Sequence, residues 1–161
     1  MAFISVYFGL GSNLGNRRRN LERALALLDE ALGCHYQALS RIIETQPWHF
    51  DSMQKFLNCC VLYRIYRKGT PEEQGRELLA ICQEIERQLG RKEKSTKDES
   101  GRPVYHDRTL DIDILFYGKE KIDLPELTVP HPLIAERPFI MIPLLEIAKP
   151  SLKSAFPEIF Q

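Results

Sequence analysis

Residues 106–118 read HDRTLDIDILFYG, and their reading decides the fold. The stretch is rich in Leu, Ile, Phe and Tyr at strand length, so it predicts a β-strand over residues 108–117. Yet it holds Asp111 and Asp113 in its middle. A strand repeats every two residues, so the two carboxylates share one face while Leu110, Ile112, Ile114 and Phe116 are assigned to the opposite, core-facing side. The two Cα atoms then lie roughly 6.5–7 Å apart. Like charges at that spacing repel unless something positive sits between them. A divalent cation meets that need, because Mg²⁺ takes one or two protein carboxylates together with phosphate oxygens and water. Taken alone, a D-x-D is more often the polar outer face of an edge strand, with Arg108 within reach as an ion-pair partner.

Working outward, the elements on either side alternate in type. Residues 3–10 form a short apolar run that ends in the polar turn GSNLGN, which predicts a buried first strand and not a signal peptide. Leu21, Ala24, Leu25, Leu28, Ala31 and Leu32 recur at helical spacing over residues 17–32, and Gly33 supplies a stop. Residues 34–45 suggest a strand with poor alternation, QPWHFDSMQK a loop, and residues 56–66 a strand. In GTPEE, Thr70 suits an N-cap, Pro71 the first helical position and Glu73 the closing residue of a capping box. That helix runs to about Leu89, before Gly90. Residues 91–107 are charged and long for a connection within a compact domain, which points to function or mobility. After Gly118 come a turn, a short segment near Ile122, the loop LTVPHPLIAERPF and an apolar run over residues 139–145.

The order strand, helix, strand, strand, helix, strand predicts an α+β fold with a ferredoxin-like βαββαβ core. Its sheet is antiparallel with flanking helices on one face, and a C-terminal extension adds pieces around it. A chain of 161 residues without internal repeats is read as one domain, 1–161.

Composition narrows the function classes. Lys plus Arg balances Asp plus Glu at 22 each, which argues against nucleic-acid and polybasic membrane partners. No apolar run has membrane-spanning length. Four cysteines without C-x-x-C or zinc spacing read as reduced thiols of a cytoplasmic protein. No large apolar patch is evident, which suggests a monomer or weak dimer. Arg91, Lys92, Lys94, Lys97, Arg102, Arg108, His131 and Arg137 surround the carboxylate pair in sequence, and together they suit a polyphosphate with its metal. No P-loop and no G-x-G-x-x-G occurs, so a nucleotide must be bound another way.

The pieces GSNLGN, ETQPW, FLNC, QEIERQLGR, DRTLDIDILFYG, LTVPHPLIAERPF and PLLEIAKP follow one another in that order. In series they resemble the 6-hydroxymethyl-7,8-dihydropterin pyrophosphokinases of folate biosynthesis, over residues 11–150. The resemblance implies transfer of pyrophosphate from ATP to the hydroxymethyl group of a reduced pterin, with AMP released and two Mg²⁺ ions engaged. It implies that Asp111 and Asp113 are metal ligands, with Arg91 and Arg108 as further catalytic groups. It places Thr45, Pro47, Trp48, Phe56, Asn58 and Phe139 at the pterin, with the ring held between the two phenylalanines. Gln83, Glu86, Lys94, Ile114, Thr128, His131 and Arg137 match ATP-binding positions.

The chain also departs from the family pattern. Glu93 stands where many members carry a second arginine, leaving that contact to Lys92 or Lys94. Tyr105-His106-Asp107 replaces a Trp-Gly-Pro, and the loop before Arg108 is longer than in compact members. Two other classes fit less well. Nucleotidyltransferases also pair a Gly-Ser turn with a D-x-D, but close together, whereas Ser12 and Asp111 are far apart here. A βαββαβ RNA-binding module wants an aromatic sheet face on a basic protein.

Overall fold

The computed structural model describes residues 2–46, 55–90, 96–97, 103–104 and 109–161. The elements in chain order are β1 (Phe3–Ser12), α1 (Arg17–Leu32), β2 (Ala38–Leu39), β3 (Ile43–Thr45), β4 (Phe56–Tyr66), α2 (Pro71–Gln88), β5 (Thr96–Lys97), β6 (Pro103–Val104), β7 (Asp111–Tyr117), β8 (Ile122–Leu124), β9 (Leu127–Val129), a 3₁₀ turn (Ile134–Glu136), α3 (Pro138–Ile147) and α4 (Pro150–Ala155). The main sheet has the order β2-β4-β1-β7, with β3 also paired to β4. Every pairing in it is antiparallel. This is the expected α+β, ferredoxin-like arrangement. β5 pairs β6 and β8 pairs β9 as separate two-stranded ladders.

The helices form where the sequence supplies their ends. Asn16 caps α1 by accepting from Arg19 N at 3.1 Å, and Gly33 closes it at φ 73°, a left-handed conformation that a Cβ would oppose. Thr70 and Glu73 form a reciprocal capping box on α2, with Pro71 in the first turn. Both helices lie on one face of the sheet. Val6, Phe8 and Leu10 of β1, Val61 and Tyr63 of β4 and Ile112 of β7 pack there against Leu21, Leu28, Leu78 and Ile85. Leu21 and Leu28 are fully buried, each contributing on the order of 2 kcal/mol.

Three features depart from the sequence reading or settle what it left open. Residues 34–45 are not one strand. At Ser40 the hydroxyl accepts from Cys60 N at 2.8 Å while Ser40 N donates to Cys60 O at 2.9 Å, and this side-chain substitution in the ladder separates β2 from β3. The apolar run 139–145 lies in α3, which begins at Pro138. With α4 it covers part of the second sheet face, where Tyr7, Cys60, Leu62, Leu115 and Phe116 meet Ile140, Leu144, Leu152 and Phe156. The core helices α1 and α2 therefore share one face as expected, and the C-terminal extension adds its helices to the other.

The third departure concerns Phe116. The β1–β7 register runs Phe8 with Ile114, then Tyr7 with Phe116, so Leu115 is an extra, bulged residue. Its carbonyl accepts from His131 N at 3.1 Å. Beyond the bulge the facing reverses: Phe116 joins the second face and Tyr117 the first. Leu110, Ile112 and Ile114 remain on the helix-covered side as expected. No helix among the described residues is long and apolar enough to cross a membrane.

Candidate active site

The second sheet face beside α3 is built from three adjacent strands. Across them, Asp111 stands opposite Gly11 and Gly11 opposite Asn58. One step along, Asp113 stands opposite Gly9 and Gly9 opposite Cys60. Period two puts all six residues on one face. The middle strand contributes only glycines, so the grid is a trough with carboxylates along one wall and Asn58 and Cys60 along the other. A recess in this region is lined jointly by Gly9, Gly11, Asn58, Cys60, both aspartates and Phe139. Phe139 comes from the first turn of α3.

On the wall away from the aspartates, the Asn58 amide donates to Thr45 Oγ1 at 2.7 Å. Asn58 is buried, so that bond fixes an amide which otherwise lacks water. Phe56 pairs with Thr45. A Cβ built on Gly11 would lie 3.5 Å from the Phe56 ring, which sets that ring beside the trough. Arg17 ties this wall to the β1–α1 turn: its Nη1 donates to Glu44 Oε2 at 2.8 Å and to the Lys55 carbonyl at 2.7 Å. Asn20 holds the same turn from below, donating to Ser12 Oγ and to the Leu14 carbonyl.

On the outer side of β7 the environment differs. Glu86 of α2 is buried, and its Oε2 accepts from Ile112 N–H at 2.8 Å. Gln83, one turn earlier, is exposed. Ile114 points its side chain into the helix-covered core, so any ligand contact it makes is through its main chain. Thr128 is exposed on β9. His131 Nδ1 accepts from Leu133 N at 3.4 Å, which in the neutral ring leaves the proton on Nε2 as a donor. The Arg137 guanidinium lies 5.8 Å from the centroid of the Phe139 ring, close to the trough.

The structure thus brings together Asp111, Asp113, Thr45, Phe56, Asn58 and Phe139 around the trough, and sets Glu86 and His131 against the other side of the carboxylate strand. Pro47, Trp48, Arg91, Lys94 and Arg108 lie outside the described residues. Sequence reasoning missed Gly9 and Gly11 as the trough floor. Their signal was present, since glycines two apart in an apolar strand mark a close approach to one face. Arg17 and Asn20 carried no comparable signal.

The donor chemistry suits a hard divalent cation. Asp111 and Asp113 lie two apart on one face of β7, and both line the recess with the two glycines. Among the described residues no group of three or more His, Cys, Asp or Glu could enclose a metal. Two carboxylates leave the rest of a Mg²⁺ shell to phosphate oxygens and water.

A family model described as 7,8-dihydro-6-hydroxymethylpterin-pyrophosphokinase matches residues 7–149. The chain belongs to this family. It is 43% identical over 144 residues to a 2-amino-4-hydroxy-6-hydroxymethyldihydropteridine pyrophosphokinase of Porphyromonas gingivalis, covering 89% of this chain and 90% of that one. A protein of the same description from Bacillus subtilis is 38% identical over 149 residues, covering 92% and 81%. A folate synthesis bifunctional protein of Arabidopsis thaliana is 37% identical over 145 residues, covering 90% of this chain but 27% of its own. A solved HPPK-DHPS structure in complex with substrates superposes with a TM-score of 0.66 at 12% identity, covering 98% of this chain and 43% of that one, which supports the fold. The family resemblance read from the motif series is therefore met. Tyr7 and Phe116 of the second face are buried beneath α3 and α4, so they do not form the exposed aromatic sheet face that an RNA-binding module wants.

Proposed function

We propose that this pyrophosphokinase performs its chemistry in the glycine trough, with pterin on the Asn58 side and ATP reaching over β7. The reaction moves pyrophosphate from ATP to the hydroxymethyl group of 6-hydroxymethyl-7,8-dihydropterin and releases AMP, a step of folate biosynthesis. The observation that carries the site assignment is the alignment of Asp111 and Asp113 opposite Gly11 and Gly9.

Asn58 and Thr45 present an oriented polar edge, and Phe56 and Phe139 supply flat apolar surface for the ring. The pterin hydroxyl oxygen forms a bond to the β-phosphorus and loses its proton to water, while the bond from that phosphorus to the bridging oxygen breaks and AMP leaves with that oxygen. Asp111 and Asp113 would hold Mg²⁺, two ions by the family resemblance, which when bound would supply neutralisation of the phosphate charge. His131 donates from Nε2, and Arg137 stands near Phe139 where the two substrates meet. Gln83, Thr128 and the Ile114 main chain serve the nucleotide. Roles for Arg91, Lys94 and Arg108 at the phosphates, and for Pro47 and Trp48 at the pterin, rest on the resemblance alone. Catalysis of this kind depends on positioning and electrostatics, since no covalent intermediate is needed.

The deciding experiment mixes the protein with Mg²⁺, ATP and the reduced pterin alcohol and follows phosphorus NMR. AMP and a pterin diphosphate are expected. ADP as the nucleotide product, or free pyrophosphate as the main phosphorus product, would overturn the reading.

A further inference from the structure

β7 is an edge strand of the main sheet, so every other backbone N–H along it points away from β1. Ile112 stands opposite Leu10, yet its N–H donates to Glu86. Ile112 is therefore an outward-facing position. By the antiparallel alternation, the flanking residues Asp111 and Asp113 are the ones whose main chains turn inward to Gly11 and Gly9.

Glu86 is only 5% exposed. A carboxylate is rarely buried unless its oxygens are bonded, and a bond to an ionised acceptor is among the stronger kinds. Its neighbours on α2, Cys82 and Ile85, are packed into the core, so the carboxylate is anchored from behind by helix packing. The acceptor meets the strand at the single residue between the two aspartates.

We infer that Glu86 is a positioning residue for the carboxylate pair: bonded to Ile112 N–H, it fixes the main chain between Asp111 and Asp113 and with it the separation and aim of their carboxylates. This deepens the nucleotide-side role implied by family resemblance, and it rests on the reading that the two aspartates hold the metal. Partners of this outer kind set metal affinity without touching the metal.

The test uses Glu86→Ala, which removes the acceptor, and Glu86→Gln, which keeps an acceptor oxygen but no charge. In the ligand-free protein, Glu86→Ala should speed hydrogen exchange at Ile112 N–H by roughly tenfold or more, while Glu86→Gln retains most of the protection. In turnover, Glu86→Ala should raise the half-saturating Mg²⁺ concentration about 10-fold with little change in the KM for pterin. Glu86→Gln should shift the half-saturating Mg²⁺ concentration by no more than about 3-fold, whatever it does to the KM for ATP. A purely structural role would lower thermal stability without separating Mg²⁺ dependence from pterin KM. If Glu86→Ala does not fold, Glu86→Asp, which withdraws the acceptor by one methylene, should shift both readouts in the same direction. Unchanged Ile112 exchange in Glu86→Ala overturns the inference. So does a Glu86→Gln variant that shifts Mg²⁺ dependence as far as Glu86→Ala with Ile112 still protected, since the charge alone would then be acting. Asp111→Asn, run in parallel, separates the two ideas: if it leaves Mg²⁺ dependence unchanged, the metal reading fails whatever Ile112 shows.

Discussion

Gly11 stands opposite Asn58 in the β1–β4 ladder, and a Cβ on Gly11 would lie 2.8 Å from Asn58 Oδ1. Asn58 cannot swing aside without giving up its 2.7 Å bond to Thr45. Gly11→Ala is therefore expected to cost roughly 1–3 kcal/mol of stability and to raise the KM for pterin more than that for ATP. Gly9 is the internal control. The nearest atoms to a Cβ there belong to the Leu115 side chain, at 3.5 Å, which is ordinary contact. Denaturant midpoints of Gly9→Ala and Gly11→Ala, with KM for each substrate of Gly11→Ala, check this. Equal stability of the two variants would show that Asn58 relaxes freely.

Asp111 and Asp113 leave the core face, so their replacement opens no cavity beneath α1 and α2. Asp111→Asn and Asp113→Asn keep shape and remove one charge each. With no core side chain lost, the metal-free protein should remain folded. Turnover should fall about 10²-fold or more, because metal-borne charge stabilisation is worth several kcal/mol. Calorimetry without metal and initial rates with Mg²⁺ read the two effects separately. Near-normal rates at ordinary Mg²⁺ would remove these residues from the metal site.

What the sequence made legible follows its local rules. Thr70, Pro71 and Glu73 announce the start of α2, and Gly33 the end of α1, because caps depend on a few adjacent residues. The D-x-D face was readable because period two needs only the strand itself. The features missed are those decided at a distance. The bulge at Leu115 depends on the register with β1 and on His131 N–H taking its carbonyl, and neither is visible along β7. The break at Ser40 arises from a hydroxyl bonded across the sheet. In α3, PFIMIPLLEI is apolar on nearly every side, with Ile142 and Leu145 exposed, so its periodicity gives no helical stripe to read. The pterin-side residues were assigned through resemblance, since Phe56 and Phe139 look like ordinary core until Gly9 and Gly11 are seen to leave a trough between the walls.

Thiol chemistry offers a check on burial. Cys59 and Cys60 are adjacent on β4 and so face opposite cores. Burial pushes the Cys59 thiol up to about 12 and the Cys60 thiol higher still. Cys82 is 1% exposed. Cys34 is only partly buried, though burial and Asp29 raise its thiol also. At pH 8 a thiol-disulfide reagent should therefore react slowly with Cys34 alone, and with all four cysteines in denaturant. Rapid labelling of Cys60 in the folded protein would mean that its side of the trough opens to solvent.

The capping box of α2 predicts a pH dependence of known sign. The Thr70 main-chain N–H, and then its hydroxyl, hold the Glu73 carboxyl below its ordinary value of 4.5. A depressed folded pKa means that the unfolded chain takes up the proton first as pH falls. The stabilisation is thus fully present above about pH 5 and is lost as acid titrates the folded carboxylate. The gap in melting temperature between the parent and Glu73→Ala should be constant from pH 5 to 8 and should narrow toward pH 3. Thr70→Ala should cost about 1 kcal/mol at neutral pH by removing the other half of the box. Glu73 lies at the opposite end of α2 from Glu86. Glu73→Ala should therefore lower stability without moving the Mg²⁺ dependence, in contrast to Glu86→Ala. A shared shift in both variants would mean that the helix transmits fraying along its whole length, and that the Ile112 contact is a passive reporter of helix stability.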